Sequence, residues 1–94
     1  MYHVYVLKSK KTGDLYIGFT SNLRQRLEAH KNGESGWTKT RLPFDLVYCE
    51  TYLDAHDAQE RERQLKRHGM ALGQLKRRIK RSLGVYAMEG AGWN

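Results

Sequence analysis

From Tyr2 to Lys8 the chain alternates, with Val4 and Val6 on one side and His3, Tyr5 and Leu7 on the other, the pattern of a strand covered in part on each face. Lys10-Lys11-Thr12-Gly13-Asp14 reads as a turn, and Leu15-Tyr16-Ile17-Gly18 follows at hairpin distance. Folding about residues 10–13 brings Tyr5 to the Tyr16–Gly18 end of its partner and lets both phenols share a face. Gly18 is expected to end the strand and to leave open backbone beside them. Ser21 and Asn22 are helix-starting residues, and Asn22 with Gln25 predicts a capping box. At about 100° per residue, Leu23, Arg26, Leu27 and His30 fall on one stripe, the side that packs on the sheet, and Asn32-Gly33 stops the helix.

Residues 34–42 are polar apart from Trp37 and Leu42 and are expected to form a mobile loop. Phe44-Asp45-Leu46-Val47-Tyr48-Cys49-Glu50 is the strongest strand by β-branched and aromatic content. Asp54 caps a second helix running to about Arg67 and ending at Gly69; Ala55, Ala58, Glu62 and Leu65 share its inner stripe, whereas Glu60 points to water. A third helix over 71–83 buries Leu72, Leu75, Ile79 and Leu83. The expected organisation is one α/β domain over 1–83, a three-stranded antiparallel sheet flanked by three helices in the order β-β-α-β-α-α, with a frayed tail over 84–94.

Composition narrows the class. Ninety-four residues allow one modest core. No apolar run approaches the ~18 residues of a membrane span. Met-Tyr-His-Val-Tyr-Val-Leu-Lys lacks the apolar core of a signal peptide, and Cys49 alone cannot form an internal disulfide, so a reducing cytoplasm is expected. Cys49 itself reads as a small core residue. The net charge of +7 is uneven: Arg61 to Arg81 holds nine Lys or Arg and one acid, Glu62, as a surface meeting phosphates would. Lys39 and Arg41 in the polar loop, Lys66 and Arg67 at the end of the second helix, and Lys76 and Arg77 on the third are the candidate nucleic-acid contacts.

Arg26 and His30 on an apolar stripe need partners, as does an inward Glu62. Bringing Tyr5, Tyr16, Arg26, His30 and Glu62 together would let Arg26 and Glu62 compensate and give the phenols and imidazole hydrogen bonds. It would also suit phosphodiester cleavage. The guanidinium fork matches a phosphate, a lone carboxylate suits Mg²⁺ or Mn²⁺ completed by water and substrate oxygens, and His30 could accept or relay a tyrosine proton. Each residue also has an ordinary reading: sheet aromatics, a buried ion pair, a packing histidine, a solvated basic helix.

Val4-Tyr5, Tyr16-Ile17-Gly18 with Tyr16 eleven residues after Tyr5, Arg26 ten residues further, His30, and Ala58 with Glu62 and Leu65-Lys66 resemble the GIY-YIG nuclease family from Tyr2 to about Leu83. The chain is most similar to small single-domain members related to the N-terminal nuclease domain of the excision-repair endonuclease. The resemblance implies a metal-dependent endonuclease acting on DNA, with a divalent metal on Glu62; whether that DNA is branched, damaged or plain is left open by the residues. It implies Tyr5 as the base aligning a water, Tyr16 supporting it, Arg26 on the scissile phosphate and His30 assisting the tyrosine. His3 stands where the first motif has Gly, and Gln74 where several members carry a helper Asn. Two rival expectations are a non-catalytic nucleic-acid-binding module of the same fold and a small basic protein-interaction domain. A partner protein supplying specificity is a further expectation.

Overall fold

In a computed structural model, residues 1–84 are described; the expected tail lies, but for Gly84, outside the described residues. Three strands, β1 (Tyr2–Ser9), β2 (Leu15–Thr20) and β3 (Phe44–Tyr52), form one antiparallel sheet in the order β2-β1-β3. Among the described residues four helices accompany it: α1 (Leu23–Lys31), the single turn α2 (Gly36–Lys39), α3 (Ala55–Lys66) and α4 (Met70–Arg78).

The register turns the alternation into two faces. Val4 pairs with Phe19 and Glu50, and Val6 with Ile17 and Tyr48, so these share one face. Tyr5 pairs with Gly18 and Cys49, and Leu7 with Tyr16, on the other. Val4, Val6 and Ile17 form the main core with Ala58 and Leu65 of α3 and Leu72 and Leu75 of α4. The opposite face is covered by α1, through His30 against Tyr5, and by α2, through Trp37 against Tyr16. Both faces of β1 are thereby closed: Val4, Tyr5, Val6 and Leu7 have no exposed surface. A shift of register between Val6 and Leu7 lets Val47 bulge and still pack on the core.

Several local expectations are corrected. β2 continues past Gly18 to Thr20, because Phe19 pairs with Val4 and stacks on Tyr2 at 6.1 Å. Asn22 Oδ1 accepts from the Gln25 amide (3.1 Å), but the return half of the capping box is absent. The Asn22 amide instead donates to Thr20 Oγ1 (3.0 Å). The expected loop over 34–42 contains α2 and is tied down: Thr38 is buried, Ser9 Oγ donates to the Arg41 carbonyl (2.7 Å), and the Lys10 amide donates to that of Pro43 (2.8 Å). The reversal after α3 falls on His68 (φ 55°) and not on Gly69. The last helix stops at Arg78, and a turn closed by the Leu83 amide on the Ile79 carbonyl (2.9 Å) carries the chain to Gly84 (φ 89°). Cys49 is half-buried rather than core, and burial pushes its thiol above its ordinary value.

Candidate active site

Tyr5 sits mid-strand opposite Gly18, and its ring fills the space a side chain there would need: a Cβ on Gly18 would collide with the phenol's Cζ and hydroxyl. Gly18 is thus a seat for Tyr5 and not open backbone. With the ring fixed, the hydroxyl points to α1, where residues 26 and 30 lie one turn apart on the same side. Arg26 Nε donates to the Tyr5 hydroxyl at 3.2 Å, and His30 Nε2 lies 2.9 Å from the same oxygen.

Tyr16 completes the group. Its ring stands 6.1 Å from that of Tyr5, 5.1 Å from His30 and 5.2 Å from Trp37. The Phe44 ring closes the far side of His30 at 6.0 Å. Burial pushes the Tyr5 phenol up to about 12, with the bond from Arg26 opposing it. The two phenols hold Arg26 above its ordinary value, Tyr5 most. Burial, then the Arg26 charge, holds His30 below the ordinary histidine value, which favours the neutral imidazole.

Tyr5, Tyr16, Arg26 and His30 are therefore brought together, as expected. Glu62 is joined to them by no hydrogen bond or ion pair among the described residues. It lies on α3, which packs on the Val4/Val6 face, and its ion-pair partner is Lys66 (2.9 Å). The expected compensation of Arg26 by Glu62 is thus replaced by two separate arrangements, a guanidinium on phenols and a carboxylate on its own helix's lysine four residues on. Glu60 is exposed and pairs with Arg63, as its helical phase requires.

Among the described residues no cluster of three or more His, Cys, Asp or Glu could cage a metal ion. The Glu62 side chain, 20% exposed, fits the weaker alternative, a Mg²⁺- or Mn²⁺-type ion held by one carboxylate with water and a substrate oxygen. Of the candidate phosphate contacts, Lys39, Arg67, Lys76 and Arg77 are exposed, and Lys66 is engaged by Glu62. Arg41 is committed internally: it donates to Asp14 Oδ2 (3.1 Å) and the Trp37 carbonyl (3.1 Å) and lies 5.2 Å over the indole.

A second polar cluster escaped the sequence reading. On the core face the Glu50 carboxylate accepts from Tyr48 (2.6 Å), from Tyr52, and from Arg61 Nε (3.0 and 3.2 Å). Burial opposes ionisation of Glu50, but these three donors outweigh it and hold its carboxyl below the ordinary value. The signal was available as Tyr48, Glu50 and Tyr52 two residues apart on one strand face, with Arg61 inward on α3.

The model of the GIY-YIG catalytic domain matches residues 1–81. A UPF0213 protein of Clostridium perfringens (strain 13 / Type A) is 43% identical over 68 residues, 71% of this chain and 72% of that protein. A UPF0213 protein of Pediococcus pentosaceus is 35% identical over 88 residues, 80% of this chain and 92% of its own length. The solution NMR structure of a UPF0213 protein from Bacillus halodurans superposes with a TM-score of 0.55 at 25% identity, covering 100% of this chain and 99% of that one.

Proposed function

The chain belongs to the GIY-YIG family, and from that premise we propose that it is an endonuclease hydrolysing DNA phosphodiester bonds. The observation that carries this reading is the single phenol oxygen of Tyr5 shared by Arg26 and His30, with Tyr16 alongside. A guanidinium that already donates to a phenol favours its ionised form, and the same guanidinium suits a phosphate. Tyr5 has no exposed surface, whereas Arg26 is partly exposed. A bound phosphate would engage the outer nitrogens of the Arg26 fork while Nε stays on the phenol, a shift that opens the phenol to a water. Tyr5 first gives up its proton to solvent by way of Tyr16. The water oxygen then bonds to phosphorus in line with the leaving oxygen, the bond to that oxygen breaks with the electron pair staying on it and a solvent proton joining it, and the attacking water's proton passes to the Tyr5 phenolate.

Glu62 would hold Mg²⁺ or Mn²⁺, which when bound supplies positive charge for the leaving oxygen. To do so it must exchange Lys66 for the ion and act around the free edge of β2. Exposed Lys39, Arg67, Lys76 and Arg77 would steer the nucleic acid. Among the described residues no helix is long and apolar enough to cross a membrane. The enclosed phenol and the Glu62–Lys66 pair favour one other reading, a module that binds nucleic acid without cutting it.

Nicking assays with Mg²⁺ or Mn²⁺ on plain, flapped, branched and damaged duplexes separate the two. Tyr5→Phe and Glu62→Gln should each abolish cleavage while binding persists, and Glu60→Gln should be nearly silent. Binding without cleavage of any of these DNAs by the unaltered chain would select the non-catalytic module.

A further inference from the structure

Nδ1 of His30 is wholly buried and has no hydrogen-bond partner among the described residues. We propose that His30 serves Tyr5 as a hydrogen-bond donor through Nε2–H, and not as the acceptor of its proton. The assignment follows from what each role would require of the second ring nitrogen. An imidazole that takes a proton at Nε2 must already carry one at Nδ1, and afterwards bears a positive charge with N–H groups on both sides. Working histidine bases meet that demand with a carboxylate or carbonyl at Nδ1.

Here the surroundings supply neither. The groups against His30 are the rings of Tyr5, Tyr16 and Phe44, and the nearest charge is Arg26, of the same sign. With the proton on Nε2 the unmet group is only a lone pair, and orphaned buried donors are the rarer case in folded proteins. That tautomer also places an N–H 2.9 Å from the Tyr5 oxygen.

The phenol oxygen then accepts from two donors, Nε2 of His30 and Nε of Arg26 at 3.2 Å. Its own hydrogen turns to Tyr16, whose ring stands 6.1 Å away and whose oxygen can accept it, so no buried donor is stranded. When Tyr5 ionises, that proton passes by way of the partly exposed Tyr16 to solvent and the O–H electron pair stays on the Tyr5 oxygen, which keeps both bonds without rearrangement. His30 is thus a positioning residue that favours the phenolate, opposing the effect of burial. The consequence for catalysis rests on the endonuclease reading; the tautomer does not.

Two measurements on the full chain test this. In metal-free, ¹⁵N-labelled protein near pH 7.5, long-range ¹H–¹⁵N correlations should show His30 neutral and protonated at Nε2, its signals assigned by comparison with His3, His56 and His68 variants. A proton on Nδ1 would overturn the proposal. In nicking assays, His30→Gln offers an amide donor in place of Nε2–H but cannot take a proton. It should cut within about tenfold of the unaltered chain, while His30→Asn, too short to reach, loses roughly 10²-fold or more. A His30→Gln protein as inactive as His30→Asn, though folded by circular dichroism, would also overturn it. Failure of the unaltered chain to cut would reject the endonuclease reading alone, and the ring-proton measurement would still decide this one.

Discussion

Tyr5 and Gly18 occupy one volume between them, so the phenol is placed by a missing side chain across the strand pair. Gly18→Ala should push the ring off its seat and cost about 1–3 kcal/mol in denaturant unfolding, with cleavage falling as the hydroxyl leaves Arg26 and His30. The raised Tyr5 value carries its own sign. The folded chain keeps its phenol proton up to about 12, while an unfolded one loses it near the ordinary value of about 10. Above about pH 10 the unfolded state binds fewer protons, so stability falls between those values. Measured against Tyr5→Phe, whose stability lacks this contribution, the unaltered chain should lose ground across that window. The same phenol predicts a cleavage rate that climbs with pH from about 6 to 9, since the ionised fraction grows about tenfold per unit below its pKa. A rate flat over that range would remove Tyr5 as the base.

At the level of elements, β3 and α3 are joined by Glu50 and Arg61, whose side chains are 15% and 22% exposed. Arg61→Met would leave a carboxylate held only by two phenols and should cost about 1–3 kcal/mol, whereas Arg63→Met, on the exposed Glu60 pair, should leave the melting temperature nearly unchanged. Thermal unfolding of the two variants side by side checks this. The same elements show what could be read from residue order. Alternation in β1 and β2 and the stripe in α1 were enough to bring Tyr5, Tyr16, Arg26 and His30 together, because each rule is local and period-based. What failed was set by distant partners. The loop that holds α2 is fixed at its far end, Arg41 and Pro43, by Ser9 of β1 and the adjoining Lys10, and Glu62 turns to Lys66 because α3 packs on the face away from Tyr5. Helical phase says that a side chain faces inward, but not which side of a sheet inward means.

Across the whole molecule the phenols and Arg26 lie on one side of the sheet, and the basic α4 on the other. Nucleic acid serving both would wrap the edge formed by β2. Binding to duplex DNA should weaken with salt at a log–log slope of about −0.9 for each phosphate neutralised, and Lys76→Glu or Arg77→Glu should each reduce it by about one. Arg41→Ala should leave the slope nearly unchanged and lower stability, since that guanidinium is spent on Asp14 and Trp37. Titrations at several salt concentrations, paired with melting curves, separate these outcomes.

The centre of the sheet has a consequence for how the protein opens. With β2 and β3 on either side and four consecutive side chains shut off from solvent, β1 is the segment whose backbone amides should exchange with deuterium last. The outer strands and α2 can fray without disturbing it. The oxygen on which the proposed chemistry turns is therefore anchored to the part of the chain that lets go only when everything does.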